Sequence, residues 1–304
     1  MAFSGLSFPA LKYGNGIRNT KVIAMMPVAI TGNGTFEYRV NRSAYTRYQW
    51  TIPAWDFVQA DRQALLDFWN AVGGQLQSFL WTDPNHNAFS NVNLGTGTQI
   101  VAPAAPAVTT STTGGTIAAS TALTYGVTAL NAQGETIESA TTAITTGSTT
   151  ATNSNTIAWT AVTGATSYNV YQGGKLIGST SSLSFMDTGY PQGVAAPTVN
   201  ETGTQNYPLL VPVGGALHPI WHPSGMTVNG VSTGWSFTIL NQQPVVQYPA
   251  GNCPAYGVAV VASGSYAFAA RFNMPLSYTM LASGEMQALS PVEMGALTMM
   301  EVFE

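Results

Sequence analysis

One amphipathic helix stands in a chain that otherwise has the pattern of strands and turns, and it limits the folds available. Its apolar residues recur at intervals of three and four positions, as Leu65, Phe68, Trp69 and Val72. This spacing places them on one face of an α-helix. We predict that Asp61 caps the start of the helix and that Gly73 and Gly74 end it. A helix with one apolar face needs a β-sheet to cover that face.

Aromatic segments on both sides of the helix supply candidate strands for such a sheet. They contain Tyr45, Tyr48 and Trp50 before the helix, and Phe79, Leu80 and Trp81 after it. Aromatic and β-branched residues favour strands, so both segments are predicted as strands. An Asp-Pro-Asn turn closes the second segment at 83–85, and His86 after it is expected to lie on the surface.

The last hundred residues repeat this strand pattern without a second clear helix. Short alternating segments cover 225–248, and Asn229-Gly230 between two of them is a strong hairpin signal. A second turn is predicted from Gln242 to Pro244, and two further strands are predicted on either side of Gly264 within 256–272. The spacing of residues 290–303 would also fit a helix, and only a family resemblance favours a strand at 297–303.

Several short motifs follow one another in a characteristic order. They are Phe8-Pro9, Tyr13-Gly14, Arg47-Tyr48, the helix end from Phe68 to Gly73, a segment from Phe79 to Pro84, a β segment at 267–272, and an acidic strand at 299–303. This order resembles the distal tail proteins of long-tailed phages and gene transfer agents. About a hundred residues, near 101–203, stand where that family has a short connection.

The resemblance implies a mainly β parent domain, a β-sandwich or barrel with one packed helix, formed by residues 1–101 and 203–304. It implies a hexameric ring that joins the tail tube to the tip or hub proteins. Its partners would include the tail tube protein, the hub proteins and the tape-measure protein, with DNA passing through the central channel. That role is structural, so no catalysis, cofactor or metal is expected. The implied location is the tail tip of the virion, after synthesis in the host cytoplasm.

Composition favours a subunit that is buried in an assembly. Charged residues make up 7% of the chain, whereas soluble proteins commonly carry roughly 25%. The net charge of −4 argues against a dedicated nucleic-acid binder. Most basic residues lie early in the chain, as Lys12, Arg18, Lys21, Arg39, Arg42, Arg47 and Arg62. They could protect strand edges, or they could form a basic ring face that meets an acidic partner or lines a DNA channel.

Residues 102–202 are predicted to form an inserted all-β module of immunoglobulin or fibronectin type. Two segments resemble fibronectin type III modules: 125–139 is similar to the closing hairpin, and 157–171 is similar to the early core strands, with Trp159 as the core tryptophan. The hairpin comes first, which implies a circularly permuted sandwich. Permutation is tolerated when the two termini of a sandwich lie close together.

Exposed aromatic residues of this insert are candidate contacts for a host surface glycan. They are Tyr168, Tyr171 and Tyr190. The competing interpretation is that Trp159 and one tyrosine pack between the sheets. If the aromatic residues do bind glycan, the protein is a receptor-binding tail adhesin in which the insert does the binding.

Other site chemistry is weakly represented in the sequence. His218 and His222 have the spacing of a helical metal site, but Pro219 and Pro223 prevent that helix. Acidic pairs such as Glu135 with Glu138 are expected in solvent beside a hairpin turn, and Asp56, Asp61 and Asp67 offer no better pair for hydrolysis. The single cysteine, Cys253, excludes an intrachain disulfide. No leader sequence and no long apolar run is present, so we expect no membrane insertion.

Overall fold

A computed structural model describes residues 3–10, 20–24, 27–31, 37–41, 47–52, 55–57, 59–149, 151–273, 278–280, 292–294 and 297–302. In this part of the chain the protein is mainly β, with one α-helix and several sheets, none of which closes on itself. The predicted fold class, mainly β with a single packed helix, is therefore confirmed. We refer to the described residues of 1–101 and 203–304 as the parent part, and to those of 102–202 as the insert.

The elements of the parent part lie at both ends of the chain. The first group is β1 (Phe3–Ser7), β2 (Thr20–Ala24), β3 (Pro27–Thr31), β4 (Glu37–Asn41), β5 (Arg47–Ile52), β6 (Trp55–Phe57), α1 (Gln59–Ala71), β7 (Ser78–Trp81) and β8 (Ala88–Thr96). The insert contains β9 (Ala107–Ser111), β10 (Ala122–Leu130), β11 (Thr142–Thr145), β12 (Ser154–Ala158), β13 (Ser167–Gln172), β14 (Lys175–Thr180) and β15 (Ser184–Asp187). The second parent group is β16 (Asn206–Pro208), β17 (Leu210–Val213), β18 (Ala216–Pro219), β19 (His222–Val228), β20 (Ser236–Leu240), β21 (Gln243–Gln247), β22 (Ala259–Phe272), β23 (Tyr278–Met280), β24 (Val292–Met294) and β25 (Leu297–Glu301).

The main sheet joins the two ends of the chain. Its strand order is β1-β7-β22-β25-β5-β2, and β8 and β19 also pair with β22. The pairing of β1 with β7 is parallel, and β22 pairs antiparallel with β7, β8, β19 and β25. The β segment predicted at 267–272 lies in β22, and the strand favoured at 297–303 is present as β25, although residue 303 lies outside the described residues. The prediction of two strands around Gly264 was wrong, because β22 is one strand that passes through Gly264.

The ends of α1 differ in part from the prediction. The helix begins at Gln59, so Asp61 lies in its first turn and the prediction of Asp61 as the N-cap was wrong. A carboxylate in the first turn still complements the positive end of the helix dipole. At the other end, Gly73 and Gly74 have φ values of 64° and 67°. Gly74 N donates to Trp69 O at 2.8 Å, which confirms the predicted glycine stop.

Aromatic packing between α1 and the main sheet forms the parent core. Phe68 contacts Phe79 with ring centroids 5.0 Å apart, and Phe272 lies 4.7 Å from both Trp69 and Phe79. Phe8 reaches the same cluster, at 5.6 Å from Phe68. Each such side chain contributes about 1.5–3 kcal/mol by leaving water. The helix, an early strand and a late strand therefore depend on one another.

The insert has its own core between two sheets. One sheet has the order β15-β12-β9 and the other β11-β10-β13-β14. Ile100 of the parent part packs into this core, whose buried insert residues are Tyr125, Val127, Ala129, Ile157, Trp159, Tyr168, Val170 and Ile177. The hairpin β10–β11 precedes the strand that leads to Trp159, and β10 pairs with β13, as the permuted order requires. The exact limits of the insert as a domain stay a prediction.

Polar side chains bind together the two places where the chain passes between parent part and insert. Asn131 Nδ2 donates to Thr98 O at 3.0 Å and to Thr202 O at 2.9 Å. Ile100 N donates to Thr202 Oγ1 at 3.1 Å, and Asn200 Nδ2 donates to Ile100 O at 2.8 Å. We call these five residues the joint. Because both crossings are bonded to each other and to the Asn131 turn, the base of the insert is held in place.

The two hairpin turns predicted near the end of the chain have different outcomes. Asn229 and Gly230 form the expected tight turn, with φ values of 50° and 78°. The predicted hairpin was nevertheless wrong, because β19 pairs with β22 and β20 pairs with β21. The second turn lies at Asn241 and Gln242, with φ of 50° and 61°, while Pro244 belongs to β21. The prediction from Gln242 to Pro244 was therefore displaced toward the C terminus.

Candidate functional site

The three tyrosines predicted to contact glycan have different environments. Tyr168 is 4% exposed and Tyr171 is 1% exposed, so neither ring can stack on a sugar from solvent in this fold. The assignment of Tyr168 and Tyr171 is therefore corrected. Tyr168 packs on Trp159 at 5.4 Å, and its hydroxyl oxygen accepts a hydrogen bond from Val162 N at 2.9 Å. Tyr190 is 46% exposed, and its role as a glycan contact stays a prediction.

The chain that leaves the insert runs along the edge strand β14 before it reaches Glu135. Residues 190–201, which we call the strap, follow the free edge of β14, where Leu176 N donates to Val194 O at 2.9 Å. The strap then reaches Glu135, whose carbonyl accepts from Glu201 N at 2.9 Å. The strap therefore ends beside Glu135, whose carboxylate accepts the hydrogen bond of Tyr171 Oη.

Glu135 and Glu138 lie in this protected region and not in open solvent as predicted. Glu135 Oε1 accepts hydrogen bonds from Tyr171 Oη at 2.6 Å, from Asn169 Nδ2 at 2.9 Å, and from Thr128 Oγ1. Glu138 lies over Gly126, where a Cβ atom would come within 2.1 Å of its carboxylate. Burial raises the pKa of Glu138 above its usual value. Glu135 therefore links β10 to β13 through three hydrogen bonds, whereas Glu138 Oε1 is buried without a hydrogen-bond partner.

A buried carboxylate that the sequence analysis missed fixes the turn carrying Tyr190. Asp187 accepts hydrogen bonds from Tyr125 Oη at 2.6 Å and Gln172 Nε2 at 3.1 Å. Its other oxygen accepts from Gly189 N at 2.8 Å and Tyr190 N at 3.2 Å. Burial, together with this bond to Asp187, raises the pKa of Tyr125 to about 12. The backbone of Tyr190 is thus anchored while its ring reaches solvent.

Polar residues of the parent core pair with one another across long stretches of chain. Glu301, which is 1% exposed, accepts from Tyr48 N at 3.0 Å and lies 2.8 Å from His218 Nε2. Tyr48 Oη donates to Val213 O at 2.8 Å. Burial and then the charges of Glu301 and Asp83 raise the pKa of Tyr48 to about 12. A glutamate between apolar neighbours in the last strand was the available sequence signal for this cluster.

Asp83 forms the second polar link of this core. It is 1% exposed, accepts from Trp50 Nε1 at 3.1 Å, and accepts from Asn85 N at 2.9 Å within its own turn. His86 Nδ1 is 3.6 Å from the same carboxylate, and its side chain is 41% exposed, so His86 does lie on the turn surface. The turn after β7 is therefore tied to β5 through one buried carboxylate.

The remaining candidates are not brought together as a reactive site. His218 is buried beside Glu301, whereas His222 stacks on Phe3 with ring centroids 4.8 Å apart. Among the described residues, no group of three or more His, Cys, Asp or Glu side chains is arranged to hold a metal. Burial raises the pKa of the Cys253 thiol, which favours its protonated form.

Most side chains of the predicted basic face lie outside the described part of the structure. Lys12, Arg18 and Arg42 lie outside the described residues, as do Tyr13, Gly14 and Tyr45 of the early motifs. The backbones of Lys21, Arg39 and Arg62 are described and their side chains are not. Arg47 at the start of β5 is half-buried. The two interpretations of the early basic residues both stay open.

Comparison with known proteins gives no relative for this chain. No family model, no curated protein and no solved structure matches it. Within the described residues, α1 falls short of the length and apolar character that a membrane-crossing helix needs.

Proposed function

We propose that this protein is a structural subunit of a phage-type tail tip, which forms a ring between the tail tube and the hub proteins. The observation that carries the proposal is the pairing of residues from separate motifs in the parent core. Tyr48 of the Arg-Tyr strand bonds to Glu301 of the acidic last strand, 253 positions away. Trp50 bonds to Asp83 of the Asp-Pro turn. The motif order that resembles distal tail proteins thus corresponds to one folded unit.

Packing of the motif aromatic residues supports the same proposal. Phe8, Phe68, Phe79 and Phe272 come from four separate motifs and contact one another around α1. The motifs on which the resemblance depends are thus parts of one core. We extend that resemblance from the motifs to the ring function.

Surface composition supports assembly with other copies or partners. Large apolar side chains are exposed in the parent part, among them Leu76, Leu217, Val231, Ile239, Leu240 and Val258. With few charges to hold water, such a surface gains free energy when subunits cover it. In a closed ring each copy would use two different surfaces, one for each neighbour. The ring would act by position, matching the tube above and leaving a channel for DNA.

The oligomeric state of the purified full chain tests the proposal. Native mass spectrometry and electron microscopy are expected to show a six-membered ring with a central opening. The tail tube protein encoded in the same genome provides the second arm of the experiment, because a tube end can template the ring. A chain that stays monomeric alone and also fails to bind that tube protein would refute the proposal.

The insert offers a second candidate function, that of a receptor-binding adhesin. The supporting observation is Tyr190, an exposed ring that contacts Phe185 at 5.5 Å and whose backbone is anchored by Asp187. Binding of the full chain to bacterial surface glycans on an array, lost in Tyr190→Ala and kept in Tyr190→Phe, is the expected result. Binding that survives Tyr190→Ala would remove this residue from the site.

A further inference from the structure

A groove with a volume of about 660 Å³ lies on the parent part, on the side of β7 and β22 that faces away from α1. Leu80, Ser265 and Ala267 form its floor. These residues alternate with Phe79, Tyr266 and Phe268, which point into the core, so their own side chains point outward. The volume is within the range of about 300–1,000 Å³ that is typical of small-molecule sites.

The floor of the groove is held by pairing on both edges of β22. Ser265 pairs with Ala88 on one side and with Ser224 on the other, and Ala267 pairs with His222. Tyr266 N donates to Asn87 O at 2.8 Å. Because both edges of this part of β22 are occupied, an incoming peptide has no free strand edge to extend. The groove therefore favours a ligand bound through side chains.

Aromatic side chains form the walls. Trp221 and His222 stand on one side, and Phe237 of β20 lines the groove as well. The His222 ring is stacked on Phe3 at an interplanar angle of 21°, which restricts its rotation. Flat aromatic surfaces that are already held in place bind a ring-shaped ligand at a low entropic cost.

The rim is polar and uncharged. It includes the hydroxyls of Ser7, Thr82 and Ser224 and the amide of Asn87. Hydroxyl and amide groups both donate and accept hydrogen bonds, so they can pair with hydroxyl groups of a ligand. No Lys, Arg, Asp or Glu lines the groove among the described residues. A fully apolar ligand would strip water from this rim without replacing its hydrogen bonds, which disfavours it.

We propose that this groove binds a neutral saccharide. A sugar ring presents an apolar face of C–H groups to Phe237 and His222 and directs its hydroxyls toward the Ser, Thr and Asn side chains at the rim. The site is separate from Tyr190 of the insert, and it does not depend on the ring proposed above.

Saturation-transfer NMR on the purified full chain tests the site with neutral mono- and disaccharides of glucose, galactose and N-acetylglucosamine. We expect binding to at least one of them with a Kd of about 1 mM. Phe237→Ala removes one wall and is expected to weaken binding about tenfold or more. Ser265→Trp fills the floor from an exposed position of a fully paired strand, and is expected to abolish binding.

Two matched variants make the test decisive. Tyr256→Ala removes another exposed aromatic ring, which lies outside the groove, and Tyr190→Ala removes the exposed tyrosine of the insert. Both variants should bind the saccharide as the unmodified chain does. Circular dichroism verifies that each variant is folded. Absence of binding by the folded chain at tens of times the expected Kd would overturn the proposal. Binding that persists in folded Ser265→Trp, or that is confined to anionic sugars or peptides, would overturn it as well.

Discussion

The cores of the parent part and the insert are stabilised in different ways. In the parent part, large aromatic rings from distant segments contact one another, as Phe8, Phe79 and Phe272 do. In the insert, side-chain hydroxyls bond to loop carbonyls around a smaller core. Thr142 Oγ1 donates to Pro106 O at 2.6 Å, and Thr146 Oγ1 donates to Ala118 O at 2.7 Å. The Ser and Thr content of the insert is therefore structural.

The difference teaches which parts of the chain must be present for each core to form. The parent core needs strands from both ends of the chain, since β5 pairs with β25. All strands of the insert lie within 107–187 and pair only among themselves in the two sheets. We therefore expect two separable unfolding transitions, and the following experiments test that expectation.

Removing a central ring of the parent core should have the largest effect. Phe272→Ala is expected to lower the free energy of unfolding of the parent transition by about 3–5 kcal/mol, because it leaves a cavity among packed rings. The insert transition should not move. Differential scanning calorimetry measures both, with Leu76→Ala at an exposed position as a control that costs less than about 0.5 kcal/mol. If Phe272→Ala lowers the temperatures of both unfolding transitions together, the chain unfolds as one unit.

Alkaline pH should weaken both cores through their buried tyrosines. The pKa of Tyr48 in the parent core and that of Tyr125 in the insert are each raised from 10 to about 12, mainly by burial. The unfolded chain loses these protons first, so stability that is present below pH 10 is lost as the pH rises toward 12. Each tyrosine contributes up to about 2–3 kcal/mol to that loss.

Phenylalanine variants assign the alkaline effect to one core at a time. Denaturant unfolding at several pH values is expected to show a shallower pH dependence of the insert transition in Tyr125→Phe, and of the parent transition in Tyr48→Phe. If unfolding free energy changes with pH equally in the variants and in the unmodified chain, the assignment is contradicted.

Each side-chain hydroxyl bond in the insert should contribute less to the free energy of unfolding than each packed aromatic ring of the parent core. Thr146→Val keeps the side-chain shape and leaves the carbonyl of Ala118 and the amide of Thr121 without this hydroxyl. We expect a loss of about 1–2 kcal/mol from the insert transition alone. Thr145→Val, at an exposed neighbouring position, serves as the control and should change stability by less than about 0.5 kcal/mol. Equal effects of the two variants would argue against a structural role for the buried hydroxyl.

The smallest expected effect concerns Glu138. Its pKa is raised in the folded chain by burial, so protonation favours the fold, and stability decreases as the pH rises from the unfolded pKa through the folded one. Glu138→Gln removes this dependence and should raise stability at neutral pH by less than about 1 kcal/mol, because part of the side chain stays in water. Chemical denaturation at pH 4 to 8 measures it, with Glu201→Gln as the control. The gain in unfolding free energy of Glu138→Gln over the unmodified chain should grow from pH 4 to pH 8, and a gain that shrinks over this range would show the sign to be wrong.

Local patterns in the sequence were sufficient to locate helices and strands, but they did not reveal which distant residues these elements contact. The spacing of Leu65, Phe68 and Val72 located α1, and aromatic composition located β7, whereas the spacing near β25 would also have fitted a helix. The burial of Tyr171 accompanies its hydrogen bond to Glu135, which lies 36 positions away in the sequence. No periodicity within β13 could reveal that contact. The link from Tyr48 to Glu301 was hidden in the same way, since it depends on strand order.

The joint determines how the molecule responds to mechanical load. β8 ends two residues before Thr98, and β16 begins two residues after Thr204, so only short stretches separate the joint from the sheets. Thr204 N is itself bonded to Thr98 Oγ1 at 2.7 Å. A pull on the insert therefore has no slack linker to extend. The force passes through two short, cross-bonded segments to β8 and then to β22. We therefore expect a force on the insert to reach the central strand of the main sheet with little extension of the chain between them.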